Sequence, residues 1–258
     1  LINQSLEQMI LYHLAQAEYF ERLKMTYLNN HGLFYQYGEQ QFYNNALANR
    51  YKAMITGSTR PDTTVFGTVG NTKQTGSINK PLLHLLRKGG YILYAKHGEA
   101  TVGEDQAYLN FQYCSTQRNL SEAGRRQAIT YGEALRRLYI PVEYPVLASP
   151  LCRTKETAEL AFGKDNVQVD PFWAEIYKLS GNLSAAEQER ILNALRSVLE
   201  IQPPRGNNKV IIAHSFPKAI GLGQIPDMGT VVVKSHGQGK GYEVVAQVSL
   251  AELTSLLE

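Results

Sequence analysis

Apolar positions recur along this chain with two different periods. Near the start, Leu6, Met9, Ile10, His13 and Ala17 fall on one face of a helix. Asn29-Asn30-His31-Gly32 supplies a stop. A second helix is expected from about Gln40 to Ala53, so residues 1–55 read as a helical hairpin. Residues 56–80 lose all periodicity and fill with Gly, Thr, Ser and Asn, the composition of a linker. From Pro81 to Glu258 short apolar runs alternate with amphipathic stretches.

In that last region, Pro81–Lys88 is expected to be a short helix stopped by Gly89-Gly90. Tyr91–Ala95 is a continuous apolar run, the mark of a strand buried on both faces. Ser121 caps a helix from Glu122 to Leu138, Val146–Ala148 forms a second strand, and a helix runs through Thr154 to Leu160. Ser184 and Glu187 form a capping box for a helix reaching Leu199, which Pro203-Pro204 ends. Lys209–Ala213 is a third buried strand. Val231–Lys234 and Tyr242–Val248 flank a glycine-rich turn and predict a hairpin at the sheet edge. Strands alternating with helices predict an α/β fold whose sheet is covered by helices on both faces.

Composition narrows the picture. The chain is 43% apolar and 19% charged with a net charge of +3, a balance that favours an ordinary globular protein and gives no basis for nucleic-acid binding. No apolar stretch approaches the roughly 18 residues needed to span a membrane. Two cysteines, Cys114 and Cys152, match no zinc spacing and do not fix the redox compartment. The chain opens at Leu1 rather than Met, which leaves room for a leader upstream, and localisation stays open. The amphipathic residues 1–25, with Glu7, Glu18 and Glu21, do not read as a signal peptide. Seven tyrosines in residues 1–55 (Tyr12, Tyr19, Tyr27, Tyr35, Tyr37, Tyr43 and Tyr51) are expected to form a packing face. A surface for a protein partner is the alternative.

Three predicted strands end in polar groups. Lys96-His97-Gly98-Glu99 follows the first, Ser149-Pro150 and then Arg153 follow the second, and His214-Ser215 follows the third. In open α/β sheets ligands bind beyond the carboxyl ends of the strands. Two histidines, an arginine and a lysine at one rim would hold an anion.

The segments YAKHGEA, LSEAGRRQA, SPLCRTKETAELAFG and VIIAHS resemble the histidine phosphatase superfamily, branch 1, which includes the phosphoglycerate mutases. The resemblance runs from about Leu82 to the C-terminus, in order and spacing, and leaves residues 1–75 unmatched. It implies a three-layer α/β/α sandwich with a mostly parallel sheet over residues 81–258. It also implies a phosphomonoester hydrolase that works through a phosphohistidine, with no cofactor or metal, on a phosphorylated small molecule. By position His97 matches the nucleophile, Arg153 the phosphate clamp and His214 the second pocket histidine. Ser215 and its backbone neighbours, with Lys96, would complete the phosphate site. Glu175, in DPFWAEIYKL, matches the proton donor; Asp170 is the second choice and Glu99 the third.

Two departures from the family pattern stand out. Lys96 replaces the usual arginine, keeping the charge but losing the bidentate fork, and Ser215 replaces a glycine. Residues 101–117 with Arg118 are expected to border the pocket, where Arg118 suits a second anionic group. Cys114 and Cys152 flank motif segments that must converge; a disulfide and two free thiols both remain open. Hydrolysis is the first reading. A phosphomutase is one alternative, and a phospho-ligand-binding module with little turnover and an assembly role is another.

Overall fold

The computed structural model describes residues 2–26, 41, 48, 80–106 and 110–257. The chain divides into two compact units, residues 1–68 and 69–258. In the first, α1 (Ile2–Thr26) carries buried Ile10, His13 and Ala17 on one face and exposed Leu11 and Tyr19 elsewhere. The expected second helix lies outside the described residues except for Gln41 and Ala48, both helical. The linker lies outside them up to residue 79, as do the tyrosines from Tyr27 to Tyr51.

The second unit begins with α2 (Lys80–Lys88), β1 (Ile92–Lys96), α3 (Glu122–Arg137) and β2 (Val142–Ala148). Next come α4 (Cys152–Phe162), β3 (Val167–Val169), α5 (Phe172–Lys178), α6 (Ala185–Leu199) and β4 (Asn208–Ala213). The hairpin strands β5 (Thr230–Ser235) and β6 (Tyr242–Val248) and a last helix, α7 (Leu250–Ser255), complete it. The six strands lie in the order β3-β2-β4-β1-β5-β6. Neighbours from β3 to β1 are parallel, and β5 and β6 are antiparallel.

Strand alternation builds two cores. Leu93 and Ala95 of β1, Val210 and Ile212 of β4 and Val232 of β5 face α2, α3, α4 and α7, where they meet Leu86, Tyr131, Leu135, Phe162 and Leu253. Ile92 and Tyr94, Ile211 and Ala213, and Val231 and Val233 face the other way, toward Trp173 and Ile176 of α5 and Ile191, Leu195 and Leu199 of α6. Helices therefore cover both faces, the three-layer α/β/α sandwich expected from the sequence. Ser121 caps α3 and the Ser184–Glu187 capping box opens α6. The sequence pattern missed β3, α5 and α7, and it began β2 four residues late. Three residues of β3 and seven of α5 are too few for a period to register.

This topology places a pocket. β2, β4 and β1 are adjacent and parallel, with Ala148 opposite Ile212 and Lys96 opposite Ala213, so their carboxyl ends finish at one rim.

Candidate active site

His97 follows β1, and its N–H donates to Ala213 O at 3.1 Å, extending the ladder one residue past the strand. Gly98 lets the chain turn tightly beneath α3. A Cβ there would sit 2.5 Å from Gly124 O, and one on Gly124 would sit 2.0 Å from Glu99 O. Gly98 N–H donates to Thr157 Oγ1 at 3.1 Å, and Thr157 Oγ1 donates to Arg153 O at 2.7 Å, so α4 is tied to the His97 turn. A cavity of about 290 Å³ opens at this rim, lined by Lys96, His97, Glu99, Arg118, Arg153, Tyr177, His214, Ser215 and Asp227 among others.

Both imidazoles are buried, His97 at 7% and His214 at 3% exposure. His97 Nδ1 lies 2.7 Å from Gly98 O, an acceptor, so Nδ1 carries the hydrogen and Nε2 keeps its lone pair. Arg153 Nε donates to that Nε2 at 3.2 Å. Burial first, then the charges of Arg153, Lys96 and Arg118, push the His97 pKa down to about 3 against the pull of the Gly98 carbonyl. His214 is also held well below its ordinary value, first by burial and then by His97, Arg153 and Lys96. Its Nε2 pairs with Ser149 Oγ at 2.8 Å, while its buried Nδ1 has no hydrogen-bond partner.

Arg153 is 3% exposed. Its Nη1 and Nη2 donate to Asp105 Oδ1 and Oδ2 at 2.9 and 3.1 Å, a bidentate pair. Asp105 also accepts from Arg118 N–H at 2.7 Å and from the Tyr177 hydroxyl at 2.6 Å. Burial would raise the Asp105 pKa, but the Tyr177 and Arg118 bonds and then Arg153 outweigh it and hold the carboxyl below its ordinary value. The sequence reading missed Asp105 and Tyr177. No periodicity marks a loop aspartate that closes onto a helix 48 residues away.

The remaining expected residues divide. Lys96 lines the pocket, but its Nζ is paired with Asp227 Oδ1 at 2.7 Å, a partner the sequence reading did not find. Ser215 lines the pocket while its hydroxyl accepts Ile225 N–H at 2.8 Å. Arg118 lines the pocket and anchors through Nε to Thr101 O at 2.9 Å. Glu99 is there too, accepting from Ser121 Oγ at 2.6 Å.

Glu175, the first choice as proton donor, lies away from the pocket lining. Its carboxylate holds Lys178 and Arg190, at 2.5 and 3.0 Å. Those two cations overcome the effect of burial and keep it below its ordinary pKa. α5 presents Tyr177 to the pocket instead, two residues further along. Asp170, the second choice, accepts Phe172 N–H at 3.0 Å at the start of α5.

Cys114 and Cys152 are joined in a disulfide. It ties a short 3-10 turn, Cys114–Thr116, to the first residue of α4, next to Arg153. Gln117 Oε1 accepts Cys152 N–H at 2.7 Å beside it. Among the described residues, no group of three or more His, Cys, Asp or Glu side chains is placed to hold a metal ion. None of the described helices is long and apolar enough to cross a membrane.

Residues 92–210 match the model of the histidine phosphatase superfamily (branch 1). Solved structures that the chain matches include the protein histidine phosphatase SixA with tungstate. It is 15% identical, with 63% of this chain and 99% of that chain covered and a TM-score of 0.39. A phosphoserine phosphatase from Entamoeba histolytica is 17% identical, with 63% and 98% covered and a TM-score of 0.40. A mycobacterial glucosyl-3-phosphoglycerate phosphatase is 17% identical, with 61% and 98% covered and a TM-score of 0.42. None of the curated proteins matches the chain.

Proposed function

We propose that this chain, whose residues 92–210 match the histidine phosphatase superfamily (branch 1), is a phosphomonoester hydrolase with His97 as nucleophile. That match supports phosphatase activity in general; the residue roles are our reading. One observation carries it: a neutral imidazole whose unprotonated Nε2 accepts from an arginine, with a second neutral imidazole in the same pocket. An imidazole with a pKa near 3 offers its lone pair at any physiological pH.

His97 Nε2 attacks phosphorus, the P–N bond forms, and the bond to the ester oxygen breaks. Arg153 holds phosphoryl oxygens. With the Ser149 hydroxyl donating to Nε2 of His214, Nδ1 carries the hydrogen and donates it to a third oxygen; the buried, unpartnered state of that atom supports this. Charge thus builds among fixed donors, the main requirement of phosphoryl transfer. Glu99 protonates the leaving alkoxide. It is the pocket carboxylate not engaged by a cation, whereas Asp227 is committed to Lys96. Water then attacks phosphorus, Glu99 takes its proton, and the P–N bond breaks to release phosphate.

The test is phosphate release from an aryl phosphate and an alkyl phosphate. Wild type should turn over both, His97→Ala neither. Glu99→Gln should lose more on the alkyl ester, which needs the proton, while Glu175→Gln should stay near wild type. Turnover surviving His97→Ala would sink the mechanism. No wild-type turnover, with activity gained in Lys96→Arg, would favour a binding module.

A further inference from the structure

The phosphate clamp of this site is itself clamped. A guanidinium has five N–H donors along its edges. Asp105 takes the end-on edge, one N–H from Nη1 and one from Nη2. The other Nη1 N–H points to Arg118 O at 3.3 Å. Nε–H faces His97 Nε2 at 3.2 Å. The second N–H of Nη2 lies on the same side edge as Nε. A phosphoryl group on His97 Nε2 would meet these two N–H groups side-on, without displacing Asp105. Asp105 is not among the residues that line the cavity.

We propose that Asp105 is the positioning residue for Arg153: held by the Tyr177 hydroxyl and the Arg118 backbone, it fixes the guanidinium so that its side edge faces the phosphoryl group. The inference rests on the phosphohydrolase reading above. Side-chain exposures of 3% and 6% leave the Arg153–Asp105 pair almost no water to compete with it. Arg153 lies 5.2 Å from the Tyr177 ring centroid, a further constraint on its plane. An unbraced arginine surrenders rotamer freedom when it grips the transition state, whereas a braced one has done so on folding. The price is a negative charge beside an anion site, which weakens attraction for phosphate in the ground state.

Those opposite effects make the idea testable. Asp105→Asn removes the charge and the bidentate grip while keeping the side-chain shape. A misplaced clamp should lower kcat by about 10²-fold. Orthovanadate, which mimics the pentacoordinate phosphorus, should bind correspondingly more weakly, while inorganic phosphate binds as well as to wild type or better. Tyr177→Phe removes one of the braces on Asp105 and should move kcat the same way by a smaller factor, about threefold to tenfold.

A thermal melt confirms that each variant is folded. If Asp105→Asn does not fold, the Tyr177→Phe result decides. An unchanged kcat overturns the proposal. So does a raised one, which would make Asp105 a competitor for the arginine, and so does an equal loss of phosphate and vanadate binding. If wild type shows no turnover, the hydrolase reading fails by itself, and the ratio of vanadate to phosphate affinity in the variants still tests the brace. A wild type that binds neither anion overturns both.

Discussion

Two regions supply the pocket, and they are held by different means. The strand ends are fixed by backbone: His97 N–H to Ala213 O at 3.1 Å and Ser149 N–H to Ile212 O at 3.0 Å continue the parallel ladder. The segment between β1 and α3 is closed on itself by backbone bonds, Ser121 N–H to Glu99 O and Thr101 N–H to Asn119 O at 2.9 Å and Gln106 N–H to Thr116 O at 3.0 Å. Beyond that its hold on α4 passes through side chains and one covalent bond: Asp105 to Arg153, Gln117 to the Cys152 N–H, and the disulfide. His97, the proposed nucleophile, thus rests on the backbone ladder of the sheet. The fine orientation of its partner rests on contacts that can be removed one at a time.

The largest expected effect is on the strand side. His97→Ala removes the proposed nucleophile, and turnover should fall by roughly 10⁴-fold or more. Phosphate affinity should change far less, because Arg153, His214 and Lys96 stay in place. Trapping the labelled phosphoryl group on alkali-quenched protein, where a P–N bond survives, checks the role directly: label on the variant would assign the nucleophile elsewhere. Glu99→Gln comes next. Loss of a general acid should cost about 10²–10⁴-fold on an alkyl ester. An equal loss on aryl and alkyl esters would show that Glu99 does something other than donate the proton.

A smaller effect is expected from loosening the segment between β1 and α3. Reducing the disulfide, or replacing both cysteines by serine, leaves the sheet and His97 untouched. The crosslink spans 38 residues, and the chain-entropy model assigns it about 4 kcal/mol of stability. Denaturant unfolding with and without reductant measures that. Activity should drop by about tenfold, through kcat more than KM, because the segment carrying Asp105 loses its anchor next to Arg153. Reduced protein of unchanged kcat would show that Asp105 and Gln117 suffice to hold the segment.

The same division explains what could be read from the chain. Strand ends are legible because a run such as Tyr91–Ala95 followed by a lysine and a histidine is a local signal, and parallel topology carries such ends to one rim. Ser121 and Ser184 are legible because caps are local as well. Asp105 is illegible, since its partner lies in another element and no spacing predicts where a loop closes. Cys114 and Cys152 show only that a bond can form. Glu175 and Tyr177 are two residues apart on a seven-residue helix, and which of them faces the pocket depends on how α5 packs Trp173 and Ile176 into the sheet. Positional matching favoured the carboxylate; packing turned the tyrosine inward.

The smallest expected effect separates buried His97 from an ordinary surface histidine. An unperturbed imidazole with a pKa near 6.5 would lose about tenfold of its neutral form on going from pH 7.5 to 5.5. His97, pushed down to about 3, should lose almost none. After correction for the ionisation of the substrate itself, the nucleophile should put no limb on kcat/KM, which reports the free enzyme, between pH 5 and 8. A limb near 6.5 that vanishes in no other variant would contradict the buried, cation-flanked setting. Stability carries the matching sign. Between pH 6.5 and about 3 the unfolded chain takes up a proton at this histidine that the folded protein refuses, so this group's share of stability falls as pH falls through that window. In His97→Gln the slope of unfolding free energy against pH over that range should be shallower than in wild type. An identical slope would mean that the folded protein protonates His97 as readily as the unfolded chain does, and that neither burial nor Arg153 controls it.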